Sequence, residues 1–111
     1  MNCIVSWEAE NLISISKRLE LEKSSLSSIF YDGMLAYVLS EINSVISTLN
    51  NEIFDKNGKK IRVAREFGAI KGIEKTLGFL KPAKESELFP YFFYSQLFEI
   101  ENSLGRILMN L

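Results

Sequence analysis

The sequence predicts an all-α protein of three to four helices, and three observations carry that prediction. Apolar residues recur every three to four positions along most of the chain, which is the period of an amphipathic helix. The only two prolines, Pro82 and Pro90, sit close together, so long stretches on both sides are free to stay helical. Hydrophobic residues make up 47% and charged residues 24% of the 111 positions, enough apolar surface to favour a folded domain over disorder. At this length, one domain spanning 1–111 is the natural count.

The first helix is expected over about 7–23. Ser6 reads as its N-cap, with Glu8 and Glu10 as acids in the first turn. Leu12, Ile15, Leu19 and Leu26 follow helical spacing, with Glu22 standing where an apolar residue is expected. A short β-hairpin is the competing reading, because Ile13, Ile15, Leu19 and Leu21 alternate with polar neighbours. No turn dipeptide separates its two halves, and the helix is the better fit.

The second helix carries the clearest pattern, over about 25–54. Leu26, Phe30, Met34, Tyr37 or Val38, Ile42, Val45, Leu49 and Ile53 form its stripe. Asp32-Gly33 marks a place where it either breaks and restarts or runs on. Residues 55–60 then read as a turn, since Asn57-Gly58 favours positive φ. A third helix over about 60–80 follows, with Val63, Phe67, Ile70, Ile73, Leu77 and Leu80 on its apolar face. Lys81-Pro82 ends it. Residues 83–89 read as a linker, and Pro90 suits the first turn of a last helix over about 90–109. That helix buries Phe93, Leu97, Ile100, Leu104, Ile107 and Leu111. The architecture is thus an antiparallel hairpin of 25–54 and 60–80, flanked by the N- and C-terminal helices.

Several chemistries are poorly provided for. The chain has no histidine, which removes histidine-based triads, general bases and metal ligands. Its one cysteine, Cys3, is a poor nucleophile without a histidine. Neither a G-x-G-x-x-G nor a Gly-Lys-[Ser/Thr] phosphate loop occurs. The acid pairs Glu20/Glu22 and Glu99/Glu101 are spaced i, i+2 and diverge on a helix. No catalytic residue, cofactor or metal is expected, and the reading is not an enzyme. A lone cysteine fits a reducing compartment. The N-terminus lacks the basic start of a signal peptide, and no apolar run reaches the roughly 18–20 residues of a membrane span. The expected location is cytoplasmic, with no membrane contact.

Three surfaces remain as candidates for binding. The first is a stripe of small residues at i, i+4 spacing, Ala64, Gly68, Gly72 and Thr76. It either lets the third helix cross the second closely or serves a contact between chains. The second is charge. Residues 56–84 hold nine basic and two acidic side chains, in a chain whose net charge is −1. Lys56, Lys59, Lys60, Arg62 and Arg65 are the candidates for an acidic partner or nucleic acid, with a solvated face as the alternative. Neither a helix-turn-helix nor a zinc finger accompanies them, and the overall negative charge opposes nonspecific DNA affinity. The third surface is aromatic: six of the eleven residues 88–98 are rings. Phe93, with Phe89, suits the core, whereas Tyr91, Phe92, Tyr94 and Phe98 exceed one buried stripe and suit a protein interface.

The stretch 63–80 resembles a pattern in short phage-encoded proteins, in which an arginine-and-glycine stretch leads into Ile, Gly, a leucine-rich turn and Pro. The matching residues are Arg65, Gly68, Ile70, Gly72, Leu77, Leu80 and Pro82, about a sixth of the chain. The aromatic C-terminal helix lies outside the pattern. The resemblance implies a small structural or accessory role in a phage particle, in the host cytoplasm or the virion. The expected function is therefore a non-enzymatic assembly component that self-associates or joins a larger complex. A phage-encoded inhibitor of a host defence protein is the alternative, and a nucleic-acid-binding accessory protein a third.

Overall fold

The computed structural model describes residues 3–22, 29–80 and 88–111, with side chains for these except 22, 29–32, 77–80 and 88–91. Four helices account for 93% of it and no strand occurs among the described residues. They are α1 (Cys3–Glu22), α2 (Ile29–Asn50), α3 (Lys56–Leu80) and α4 (Leu88–Asn110).

Helix α1 starts before Ser6, so Ser6 is not its N-cap and no acid lies in its first turn. The reason is Val5, which is buried and extends the stripe Val5, Ala9, Leu12, Ile15 and Leu19 by one turn. The hairpin alternative for this segment is thereby excluded. Helix α2 runs unbroken through Gly33, resolving the Asp32-Gly33 ambiguity in favour of continuity. It buries Leu35, Val38, Ile42, Val45 and Leu49, choosing Val38 over Tyr37.

The link from α2 to α3 differs from expectation on both sides. Helix α2 stops at Asn50, because the Asn51 side chain competes for the backbone: its Oδ1 accepts from the Ile53 N–H at 3.0 Å. Ile53, expected on the apolar stripe, is 89% exposed. Helix α3 begins at Lys56, where a turn was predicted through Lys60. Asp55 is its N-cap: Oδ1 accepts from the Gly58 N–H at 2.7 Å, and the Asp55 carbonyl accepts from the Lys59 N–H at 3.0 Å. Gly58 therefore sits inside the first helical turn with negative φ. Helix α4 begins at Leu88, two residues early, and Pro90 falls within its first turn, where a missing N–H is tolerated. The linker predicted over 83–89 lies, up to residue 87, outside the described residues.

Each helix packs on two neighbours, α1 and α3 both touching α2 and α4, so α1 and α3 occupy opposite corners of a four-helix bundle. Pairs of contacts fix directions. Lys59 Nζ donates to the Leu49 carbonyl at 2.9 Å while Ser44 Oγ donates to Glu66 Oε1 at 3.4 Å, making α2 and α3 the antiparallel hairpin that was predicted. Glu8 meets Arg106 while Arg18 meets Glu99, so α1 and α4 are antiparallel too. Phe93, Leu97, Ile100, Leu104 and Ile107 of α4 are fully buried. Among the described side chains α3 contributes only Val63 and Ile70 at that depth, with Phe67 and Ile73 partly buried. By fully buried side chains among the described residues it is the least embedded helix, and Ala64, Gly68, Gly72 and Thr76 meet water.

Candidate functional site: the outer face of α3

Val63 and Ile70 turn inward, and this leaves Ala64, Gly68, Gly72 and Thr76 on the opposite side of α3, all exposed. A methyl group built on Gly68 or Gly72 would meet no atom within 4 Å. The tight crossing against α2, one of two readings of the stripe, does not occur among the described residues. Space at the stripe is a consequence of helical phase: one residue's step rotates about 100° around the axis, so Val63 and Ala64 cannot both face the core. Thr76 turns its hydroxyl back to the Gly72 carbonyl at 3.0 Å.

Beside the stripe runs a surface groove of about 520 Å³, lined by Gly68, Lys71, Gly72, Glu74 and Lys75 of α3 and by Glu101 of α4. Lys71 reaches Glu101 at 3.7 Å and also lies over the Phe67 ring, 4.9 Å from its centroid. Glu74 faces Glu101 across the seam. The hydrogen bond that a proton on one carboxyl would make with Glu101, then burial, then the negative charge of Glu101 push the Glu74 carboxyl up to about 7, against a smaller opposing pull from Lys71. Sequence reasoning took Glu101 as surface charge and passed over Glu74. The signal that could have found the pair is that both acids flank inward apolar positions, the partly buried Ile73 and the buried Ile100.

The basic candidates separate into two groups. Lys59 is engaged at the C-terminal carbonyls of α2, where a cation opposes the helix dipole. Arg62 lies over the Phe54 ring at 5.0 Å. Lys56, Lys60 and Arg65 are exposed and form no ion pair among the described residues. These three charges are thus not paired by acids among the described residues.

The aromatic candidates are mostly spoken for. Phe93 is fully buried, while Phe92 and Tyr94 pack partly buried against the core. Phe98 is 43% exposed and meets Tyr94 edge-on, centroids 5.1 Å apart at 78°. The side chains of Tyr91 and Phe89 lie outside the described residues.

One cluster had no counterpart in the sequence reading. Glu8 of α1 receives Arg106 Nε at 2.6 Å and Nη2 at 3.2 Å, and Ser103 Oγ at 2.7 Å. These donors, Arg106 foremost, hold the Glu8 carboxyl below its ordinary value despite burial, and Glu8 in turn raises Arg106. Ser103 is fully buried on the inward stripe of α4, and the arrangement is a fastener between two helices.

Among the described residues no three acidic or thiol side chains converge as a metal site would require, and no helix is long and apolar enough to cross a membrane. Fold and face together define a four-helix bundle with one thinly embedded, basic, glycine-bearing helix turned outward. Comparison of the chain with family models, with curated proteins and with solved structures found no match.

Proposed function

We propose that the protein is a non-enzymatic assembly component that acts by seating another protein chain on the outer face of α3. The bareness of Gly68 and Gly72 carries this reading. Each glycine weakens a helix interior by about 1 kcal/mol relative to alanine, and neither relieves any crowding among the described residues. A close approach from outside gives both a physical role. Lys56, Lys60 and Arg65 on the same helix favour an acidic surface as the partner. Phe98 extends the candidate contact surface onto α4. The resemblance of residues 63–80 to phage-encoded virion proteins supports a phage particle as the setting.

The test replaces both glycines by glutamine, which fills the groove and favours helix. Mass is measured by light scattering after size exclusion, at two protein and two salt concentrations. The expected wild-type result is a species heavier than the 12.7 kDa chain that the double variant loses while keeping its helix content. An oligomer that the variant leaves intact removes the α3 face from the reading.

A further inference from the structure

We propose that Glu74 and Glu101 share one proton across the α3–α4 seam, and that losing this proton loosens the seam and changes the charge of the groove beside it. The geometry carries the argument. The two carboxylates come from different helices and line the same groove. One oxygen of each, Oε2, is buried and has no hydrogen-bond partner among the described residues. Two ionised carboxylates have acceptors only and cannot satisfy one another. A proton on one carboxyl supplies the missing donor and removes the repulsion of two like charges in a partly dry place.

The surrounding charges do not substitute for that proton. Lys71 of α3 reaches Glu101 only at 3.7 Å, and Lys75 lines the groove from the same helix. From α4, the neighbouring Glu99 is turned to Arg18 of α1, and Arg106 is turned to Glu8. On the other flank of α3, α2 presents Glu41 and Ser44 near Glu66, two turns before Glu74. The Glu74 carboxyl stands at about 7, raised by Glu101 and burial.

The direction follows from linkage. Between the ordinary carboxyl value of 4.5 and about 7 the folded chain holds a proton that the unfolded chain has released. Stability therefore falls as pH rises through this window and levels off above it. Because the site is partly open to water, the expected loss is on the order of 10- to 100-fold in the folding equilibrium constant. In the groove, Lys71 and Lys75 face one net negative charge with the proton in place and two without it. Weaker seating of an acidic chain above neutral pH is a corollary, and that corollary alone rests on the function proposed above.

The chain has no histidine, so no other side chain with an ordinary value titrates between pH 5 and 7.5. The experiment is urea denaturation of the wild type and of Glu74→Gln at half-unit steps from pH 5 to 8, with ¹³C NMR titration of the glutamate carboxyls in the wild type. The expected result is falling wild-type stability across the window, a flat profile for Glu74→Gln, and one glutamate carboxyl titrating near 7. If Glu74→Gln does not fold, the wild-type titration decides. Wild-type glutamates that all titrate below pH 5.5, or a slope that survives in Glu74→Gln, overturn the proposal. Neither readout requires a partner, so its failure would leave the α3 docking face untouched.

Discussion

Replacing Gly68 and Gly72 by alanine tests the openness of the α3 face directly. Alanine adds one methyl at each position, and neither methyl has an atom within 4 Å to strike. Both positions lie well inside a 25-residue helix, so each substitution should gain nearly the full helix-propensity difference, about 0.8–1 kcal/mol. The two sites share no partner within the chain, so their effects should nearly add, to about 1.5–2 kcal/mol. For a domain near this size that corresponds to a rise in Tm of roughly 6–12 °C. Urea denaturation at low protein concentration, beside a thermal melt, measures it. The midpoint should rise with an unchanged m-value, because no core contact is altered. A loss of stability in the isolated chain would mean that something packs on these glycines, and the outward placement of the stripe would be refuted. A gain in stability with weaker self-association would separate what the glycines do for the fold from what they do for contact.

Three further outcomes follow from other parts of the bundle. Glu8→Ala should cost about 1.5–3 kcal/mol, because it strips a charge-assisted contact and leaves the buried Ser103 hydroxyl without its carboxylate. Since the Glu8 carboxyl is held below its ordinary 4.5, its contribution is present above that pH and is lost as pH falls through the folded value, so wild type and variant should converge in acid. Asp55→Ala removes the N-cap of α3 and should cost about 1 kcal/mol by urea denaturation, with amide exchange rising first at Gly58 and Lys59. Gln96→Leu should be neutral or stabilise by up to about 1 kcal/mol, because Gln96 is buried with its Oε1 unpaired; a loss above 2 kcal/mol would show that the amide is bonded.

Most of the fold was legible because it depends on apolar spacing, and spacing is local. Every residue assigned to the α4 stripe is buried or, at Leu111, half-buried. The errors fell at helix ends, where one side-chain hydrogen bond outweighs periodicity. Asp55 was read as part of a charged turn, and Asn57-Gly58 as its apex. Only the Asp55 Oδ1 to Gly58 N–H bond shows that the segment is a capped helix start. Likewise Ser6 and Glu8 make a plausible cap and first-turn acid, and nothing local announces that Glu8 pairs with Arg106, 98 positions away. The site divides in the same manner. Glycine spacing is visible in the chain, but whether the stripe faces α2 or water depends on which residues win the core. The Glu74–Glu101 pair depends on the register of α3 against α4, which no local pattern encodes.

The distribution of charge limits how such a bundle can associate. Helix α3 carries seven basic and two acidic residues, and α1, at the opposite corner, carries four acidic and two basic. Because α1 and α3 share no broad contact, these opposite signs do not cancel within the molecule. A symmetric pairing of α3 on α3 across a twofold axis would set two helices of seven basic and two acidic residues against each other, and like charges facing one another oppose assembly. Setting α3 of one copy on α1 of the next joins opposite signs, and the exposed Trp7 of α1 is an apolar knob that the glycine groove has room to take. That contact is heterologous: a pair of copies keeps one free α1 and one free α3, so it propagates into a ring or a filament rather than closing as a dimer. An acidic surface on a different protein would end the series at one copy each. Were the bundle to assemble through α3, the form of the assembly, open-ended at low salt or capped by a partner, would follow from where the bundle places its basic helix.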